Sequence, residues 1–284
     1  MSDRLDCANL ARRTVAIAVL AALALSVVAL TGCAKTPTGV KLTPKVKPPV
    51  VKDAGVLRVA VDTELPPFAG KVGSTRAGID IDVASALAAR LGLKVKLVQV
   101  KASDVATSLA EGAADIALVG MTVDQVDLTV LSVAGSYGLD APVFFASQAG
   151  TVTIDTLGTK TVGAQKGSAA YWRLTEDLGE DAVRPFNTLS EALGALNTGG
   201  VDVVAGDSMV GSYIARDLPG VKIVGQVSNA MPLAVLVSKD AQDLEEVVRT
   251  ELDNMSGDGT LDAIMRQWVP DMPVLTTSET STTP

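Results

Sequence analysis

The chain has 284 residues, of which 24 are Lys or Arg and 32 are Asp or Glu, and it contains no histidine. Its net charge of −8 disfavours nucleic acid as a partner, and the missing histidine removes Ser-His-Asp and Cys-His catalysis, His-ligated zinc and the commonest general base. The two cysteines stand at positions 7 and 33, so the globular stretch has no disulfide to rely on and needs an ordinary apolar core.

Arg4, Arg12 and Arg13 precede an uncharged run from Thr14 to Leu30 that closes in Leu30-Thr31-Gly32-Cys33. The pattern is that of a signal peptide over residues 1–32. Its ending resembles the lipobox of bacterial lipoproteins, which implies cleavage before Cys33, lipid on that cysteine, and a domain anchored on the extracytoplasmic face of the cell membrane. Residues 33–53 carry prolines 37, 44, 48 and 49 and five lysines. They read as a semi-extended Pro/Lys-rich tether with no packed element.

Short β-branched runs then alternate with amphipathic stretches: VLRVAVD (56–62), VASALAARLG (83–92), KVKLVQV (94–100), VATSLAEG (105–112) and DIALVG (115–120). The alternation of strand and helix predicts a mainly parallel sheet with helices on both faces, and ligands beyond the carboxyl ends of the strands. A second set follows from KTVGAQ (160–165) through VDVVAGD (201–207) to SMVGSYIARDL (208–218). LAEGAADIALVG (109–120) aligns without a gap to LNTGGVDVVAGD (196–207), matching Gly112 with Gly199 and Asp115 with Asp202. Two lobes of one plan are expected, with strand ends aimed at a shared cleft. PLAVLVS (232–238) and the helical stretches 243–255 and 260–269 return to the first lobe. The expected division is 54–140 with 232–272 for lobe 1 and 141–231 for lobe 2, with crossings near 138–152 and 229–233 and a disordered tail over 273–284.

Six motifs in this order, GVLRVAVDTELPPF (55–68), GIDIDVASALAARLGL (78–93), SLAEGAADIALVGMT (108–122), LGTKTVGAQKGS (157–168), ALNTGGVDVVAGD (195–207) and GTLDAIMRQW (259–268), make the chain resemble extracellular solute-binding proteins of the amino-acid-binding class, receptors of ABC importers. The resemblance implies a type II periplasmic-binding-protein fold, α/β, with two lobes joined by a two-crossing hinge. It implies a small polar solute (an amino acid, amine or related compound) in the cleft, permease subunits as partners, no cofactor or metal, no catalysis and a monomer. Carried over position by position, it assigns Asp207 to a ligand ammonium, Ser168 to the helix start that favours an anion, and Asp62, Gly120 and Thr122 to the wall of lobe 1, with Phe68 as an aromatic candidate. Two positions depart from the pattern: Asp127 stands where the family carries its carboxylate-binding arginine, and Leu65 where an aromatic commonly stacks. An acid there repels a ligand carboxylate. A cationic ligand without an α-carboxylate is therefore expected, with a lipid-anchored sensor or interaction module of the same fold as the alternative. Asp80 and Asp82 in GIDID are read as helix-capping acids, and Trp268 as core.

Overall fold

The computed structural model describes residues 43–147 and 150–277. The signal segment and Cys33 lie outside the described residues.

Alternating burial makes the first strand. In β1 (Val56–Val61), Leu57, Val59 and Val61 enter one core and Ala60 another, the period-two pattern of a strand covered on both faces. The hairpin of β2 (Gly70–Val72) and β3 (Thr75–Ala77) leads into α1 (Ile79–Arg90), then β4 (Lys94–Gln99), α2 (Val105–Ala110) and β5 (Ile116–Ala117). β4 and β5 flank β1 in parallel. β6 (Leu131–Asp140) and β12 (Met231–Ser238) complete this sheet as an antiparallel pair, in the order β4-β1-β5-β12-β6. α6 (Gln242–Gly257) covers it with Leu244, Val248, Leu252 and Met255, a stripe at helical spacing. α7 (Thr260–Trp268) follows, and Trp268 packs against the same core, as its apolar helix face predicts.

The second lobe holds β7 (Pro142–Ala146), β8 (Val162–Gln165), α3 (Ala169–Leu178), β9 (Val183–Phe186), α4 (Leu189–Asn197), β10 (Val203–Asp207), α5 (Ser208–Ala215) and β11 (Lys222–Gln226). Its sheet runs β11-β7-β10-β8-β9. The ungapped repeat has a structural counterpart. Gly112 (φ +63°) and Gly199 (φ +74°) take the left-handed turn that ends each helix. Three residues on, the Asp115 carboxylate accepts the Arg58 N–H at 2.8 Å and the Asp202 carboxylate accepts the Thr161 N–H at 2.8 Å. Each aspartate returns its own N–H to the carbonyl of that same partner.

The chain passes between lobes at Ala141, from β6 into β7, and at 227–230, from β11 into β12. Two segments read as free are packed in the described structure. Val46 and Val51 are buried in the first core, Lys45 donates its N–H to Leu91 at 2.9 Å, and its ammonium meets Glu251 at 2.6 Å. At the other end, Leu275 is buried in the core of the second lobe, and the Thr276 N–H and hydroxyl donate to Gln226 Oε1 at 2.7 and 2.8 Å. A few apolar side chains set in proline-rich or threonine-rich sequence suffice to dock each strap, because each buried aliphatic group contributes about 1.5–3 kcal/mol.

Candidate functional site

Four chain segments converge where the lobes face each other. Lobe 1 brings the turn after β5, where Thr122 caps a short 3₁₀ helix (Val123–Gln125), its N–H bonded to the Gln125 side chain at 3.2 Å. Lobe 2 brings the start of α3, where the Ser168 hydroxyl accepts the Tyr171 N–H at 3.1 Å. Gly167, at φ +80°, supplies the left-handed turn that aims this helix. The ends of β6 and β10 supply Asp140 and Asp207. Together with the second crossing, these segments enclose a cavity of about 330 Å³, lined on its polar side by Thr122, Asp124, Asp140, Ser168, Arg173 and Asp207.

Register explains why two acids meet there. Asp207 pairs with Pro142 across the antiparallel β10–β7 ladder, and Asp140 lies two residues before that proline. Asp207 Oδ1 accepts the Val210 N–H at 2.8 Å, capping α5. Asp140 is buried, and its Oδ1 accepts the Ala141 N–H at 2.9 Å, the Ser208 hydroxyl at 2.5 Å and the Met209 N–H at 3.2 Å. Burial of the Asp207 carboxyl, and next the charge and hydrogen bond of Asp140, push it well above the usual carboxylate range, against the pull of the Val210 and Met209 N–H groups. Arg173 is the only base lining the cavity among the described residues, and its guanidinium pairs with Asp177 at 2.9 Å. The chemistry of the cavity is that of a cation acceptor with one anion-favouring helix start.

Of the residues singled out from sequence, Thr122, Ser168 and Asp207 line this cavity, and Asp62, Phe68 and Gly120 do not. Asp62 folds back to accept the Glu64 N–H at 3.1 Å. Phe68 is 2% exposed and packs beneath the cleft on Gly120, where a Cβ would stand 2.6 Å from the phenyl ring. Gly120, at φ +64° and without a Cβ, lets the Phe68 ring pack this closely. Asp127 turns away: its Oδ1 takes the Thr129 hydroxyl and N–H at 2.6 and 2.9 Å, and these bonds hold its carboxyl below the usual range. It closes its own loop. Asp80 and Asp82 lie in the first turn of α1 but cap nothing. Asp82 accepts the Trp268 indole N–H at 2.8 Å, and the buried Asp80 accepts the Tyr137 hydroxyl at 2.7 Å.

Sequence reading missed Asp140 and Arg173. The only trace of the first is a carboxylate at a lobe crossing two residues before a proline, in GLDAP (138–142). A larger groove of about 1070 Å³ runs beside the β2–β3 hairpin and is lined by Lys71, Arg76 and Lys101 with Glu64, Asp104 and Glu111. Its charges balance, and none of the six residues assigned from sequence lines it.

The family model for bacterial extracellular solute-binding proteins, family 3, matches residues 57–271. The L-cystine-binding protein TcyJ of Escherichia coli (strain K12) is 24% identical over 224 residues, 77% of this chain and 84% of TcyJ. The arginine-binding extracellular protein ArtP of Bacillus subtilis (strain 168) is 22% identical over 75% of this chain and 85% of its own length. Among solved structures, an ancestral cationic amino acid solute-binding protein superposes with a TM-score of 0.69 at 28% identity, over 76% of this chain and 96% of that one. A match that spans three quarters of the chain, with two α/β lobes around a cleft, places the protein: it belongs to the bacterial extracellular solute-binding proteins, family 3.

Proposed function

We propose that the protein is the lipid-anchored, extracytoplasmic receptor of an ABC importer and binds a small amine-bearing solute between its lobes. It acts by binding and releasing this solute without chemical change. The observation that carries the reading is the cleft itself, where Asp207, Asp140 and Thr122 line one cavity with no free base among the described lining residues. The ligand ammonium meets Asp207, while the start of α3 at Ser168 receives whatever anionic or carbonyl group the solute carries. Cystine-, arginine- and cationic-amino-acid-binding relatives support a ligand that carries at least one amine. Asp127 in place of the family arginine favours amines and cationic amino acids over acidic or neutral ones, because the described residues that lobe 1 contributes to the cavity then include no base. Lipid on Cys33 would hold the receptor beside its permease.

A thermal-shift panel on the purified full chain tests this, with L-arginine, L-lysine, L-cystine, putrescine, L-glutamate and glycine betaine. A cationic ligand at one hundred times its dissociation constant raises stability by about 2.7 kcal/mol, and Asp207→Asn removes that shift. Stabilisation by L-glutamate alone would overturn the cationic reading, and silence across the panel would leave a lipid-anchored sensor or interaction module of the same fold.

A further inference from the structure

Asp127 leaves lobe 1 without a base among the described residues it brings to the cavity, and the base that the cavity does have stands on the other lobe. Arg173 lies on α3, five residues after the Ser168 cap, and lines the cavity together with Ala169 and Ala170. Residues three and four apart share one face of a helix, so Arg173 sits one turn behind these alanines on the face that borders the cavity. Their methyl groups leave that face open, and a long helical side chain leans towards the start of its own helix. At that start the first N–H groups have no helical carbonyl to meet, and the dipole favours an anion. The Arg173 guanidinium meets Asp177, one turn further on, through Nε at 2.9 Å, with 51% of the arginine side chain exposed. An exposed pair at this spacing is weak, and a guanidinium offers five N–H donors where one carboxylate takes two. The pair also borders an outer groove with Asp155 and Lys160, which puts the guanidinium at the rim of the cavity, within a side-chain rotation of a solute inside.

We propose that Arg173 is a specificity-determining residue that takes the carboxylate of the solute, so that the cleft selects cationic amino acids over amines that lack a carboxyl group. This rests on the reading of the cleft as an amine receptor and names the class of ligand it selects. The ligand carboxylate lies between the Arg173 fork and the start of α3, and its α-ammonium meets Asp207. Asp124 and Asp140 remain for a second cationic group. Three carboxylates and one guanidinium thus complement a solute with two cationic groups and one carboxylate. A neutral amino acid leaves two of the lining acids without a counter-charge, and an acidic one brings a second carboxylate for which no further base lines the cavity among the described residues. Ammonium and carboxylate are then both held by lobe 2, and lobe 1 closes over them with Thr122 and Asp124.

Calorimetry on the full chain tests this with two pairs of probes, L-arginine with agmatine and L-lysine with cadaverine, the members of each pair differing only by the carboxyl group. In the parent each amino acid should bind more tightly than its amine. Arg173→Gln, at an exposed position and checked for folding by circular dichroism, should cut that preference by about 10- to 100-fold, the worth of hydrogen bonds to a charged group. The loss should fall on the amino acid, with the amine bound as well as before or better. Arg173→Lys keeps the charge without the fork and should restore only part of the preference. A parent that binds amine and amino acid alike, or a preference unchanged in Arg173→Gln, overturns the proposal and leaves the receptor reading standing. An equal loss for both members of a pair overturns it in the same way and makes Arg173 a closing contact between the lobes. Full recovery in Arg173→Lys overturns the bidentate contact and assigns the preference to the field of a cation at the rim. Heat from none of the four probes overturns the receptor reading for cationic solutes and the proposal with it.

Discussion

The buried carboxyl of Asp80 shows how one side chain couples the first lobe to pH. Its Oδ1 accepts from Tyr137 and its Oδ2 has no hydrogen-bond partner, so the anion is poorly served, and burial pushes its pKa to about 7 despite the help of Tyr137 and Gly120. A carboxyl whose folded pKa lies above its unfolded value binds its proton more tightly in the folded chain. Its contribution is therefore complete below about pH 4 and is lost as pH rises towards 7, a loss on the order of 4 kcal/mol for a shift of this size. Asp80→Asn imitates the protonated group and should flatten this component. By urea unfolding, the variant is expected to trail the parent at pH 4.5 and to match or exceed it at pH 8, whereas an equal difference at both pH values would remove Asp80 as the cause. Asp207 shifts in the same direction but is present in both proteins, so it cancels in the comparison. Residues of this kind were legible only by type. GIDID announced acids at a helix start, but the Tyr137 that buries one of them stands 57 positions away, and the Ser208 that fixes Asp140 stands 68 away. No local pattern carries such partners.

At the scale of elements, the repeat gives the same aspartate two different weights. Asp115 and Asp202 both pin the start of their strand to the neighbouring parallel strand, but Asp115 also holds Arg58, whose guanidinium reaches it at 2.5 Å with only 7% of the side chain exposed. Asp115→Ala strands a buried cation and should cost about 3–5 kcal/mol. Asp202 is exposed and has only the Thr161 N–H to serve, which water can take over, so Asp202→Ala should cost about 1 kcal/mol. Equal costs in denaturant titrations would show that Arg58 is solvated after all and that the strand pinning alone matters. The strands that sequence located, β1, β4, β5, β8, β9, β10 and β12, fall on short apolar or β-branched runs. β6 escaped because LSVAGSYGLD mixes glycine and serine into the strand, and its ladder with β12 slips twice, between Leu233 and Ala234 and between Val235 and Leu236. An irregular register erases the alternation by which a strand is recognised.

Across the whole molecule, the lobes are joined by more than their two crossings. Tyr213 of α5 meets Trp268 of α7 with ring centroids 6.4 Å apart, and the Ser212 hydroxyl reaches the Met272 sulfur at 3.7 Å. The chain then runs on from the first lobe to bury Leu275 in the second, and the Thr276 carbonyl accepts the Ala230 N–H at 2.8 Å, beside the second crossing. This third tether, beside the second crossing, limits how far the lobes can part without unfolding either. Chain termination after Met272 separates this tether from the rest of the fold. It removes one buried leucine, worth about 2 kcal/mol, and should lower the melting temperature by about 4–8 °C. If the strap also restrains the lobes, the shortened chain should show a larger radius of gyration by small-angle scattering than the full chain when empty, with the two converging once a ligand closes the cleft. A lower melting point with unchanged scattering would reduce the strap to a stabilising patch on the second lobe, and the hinge would then be set by Ala141 and residues 227–230 alone.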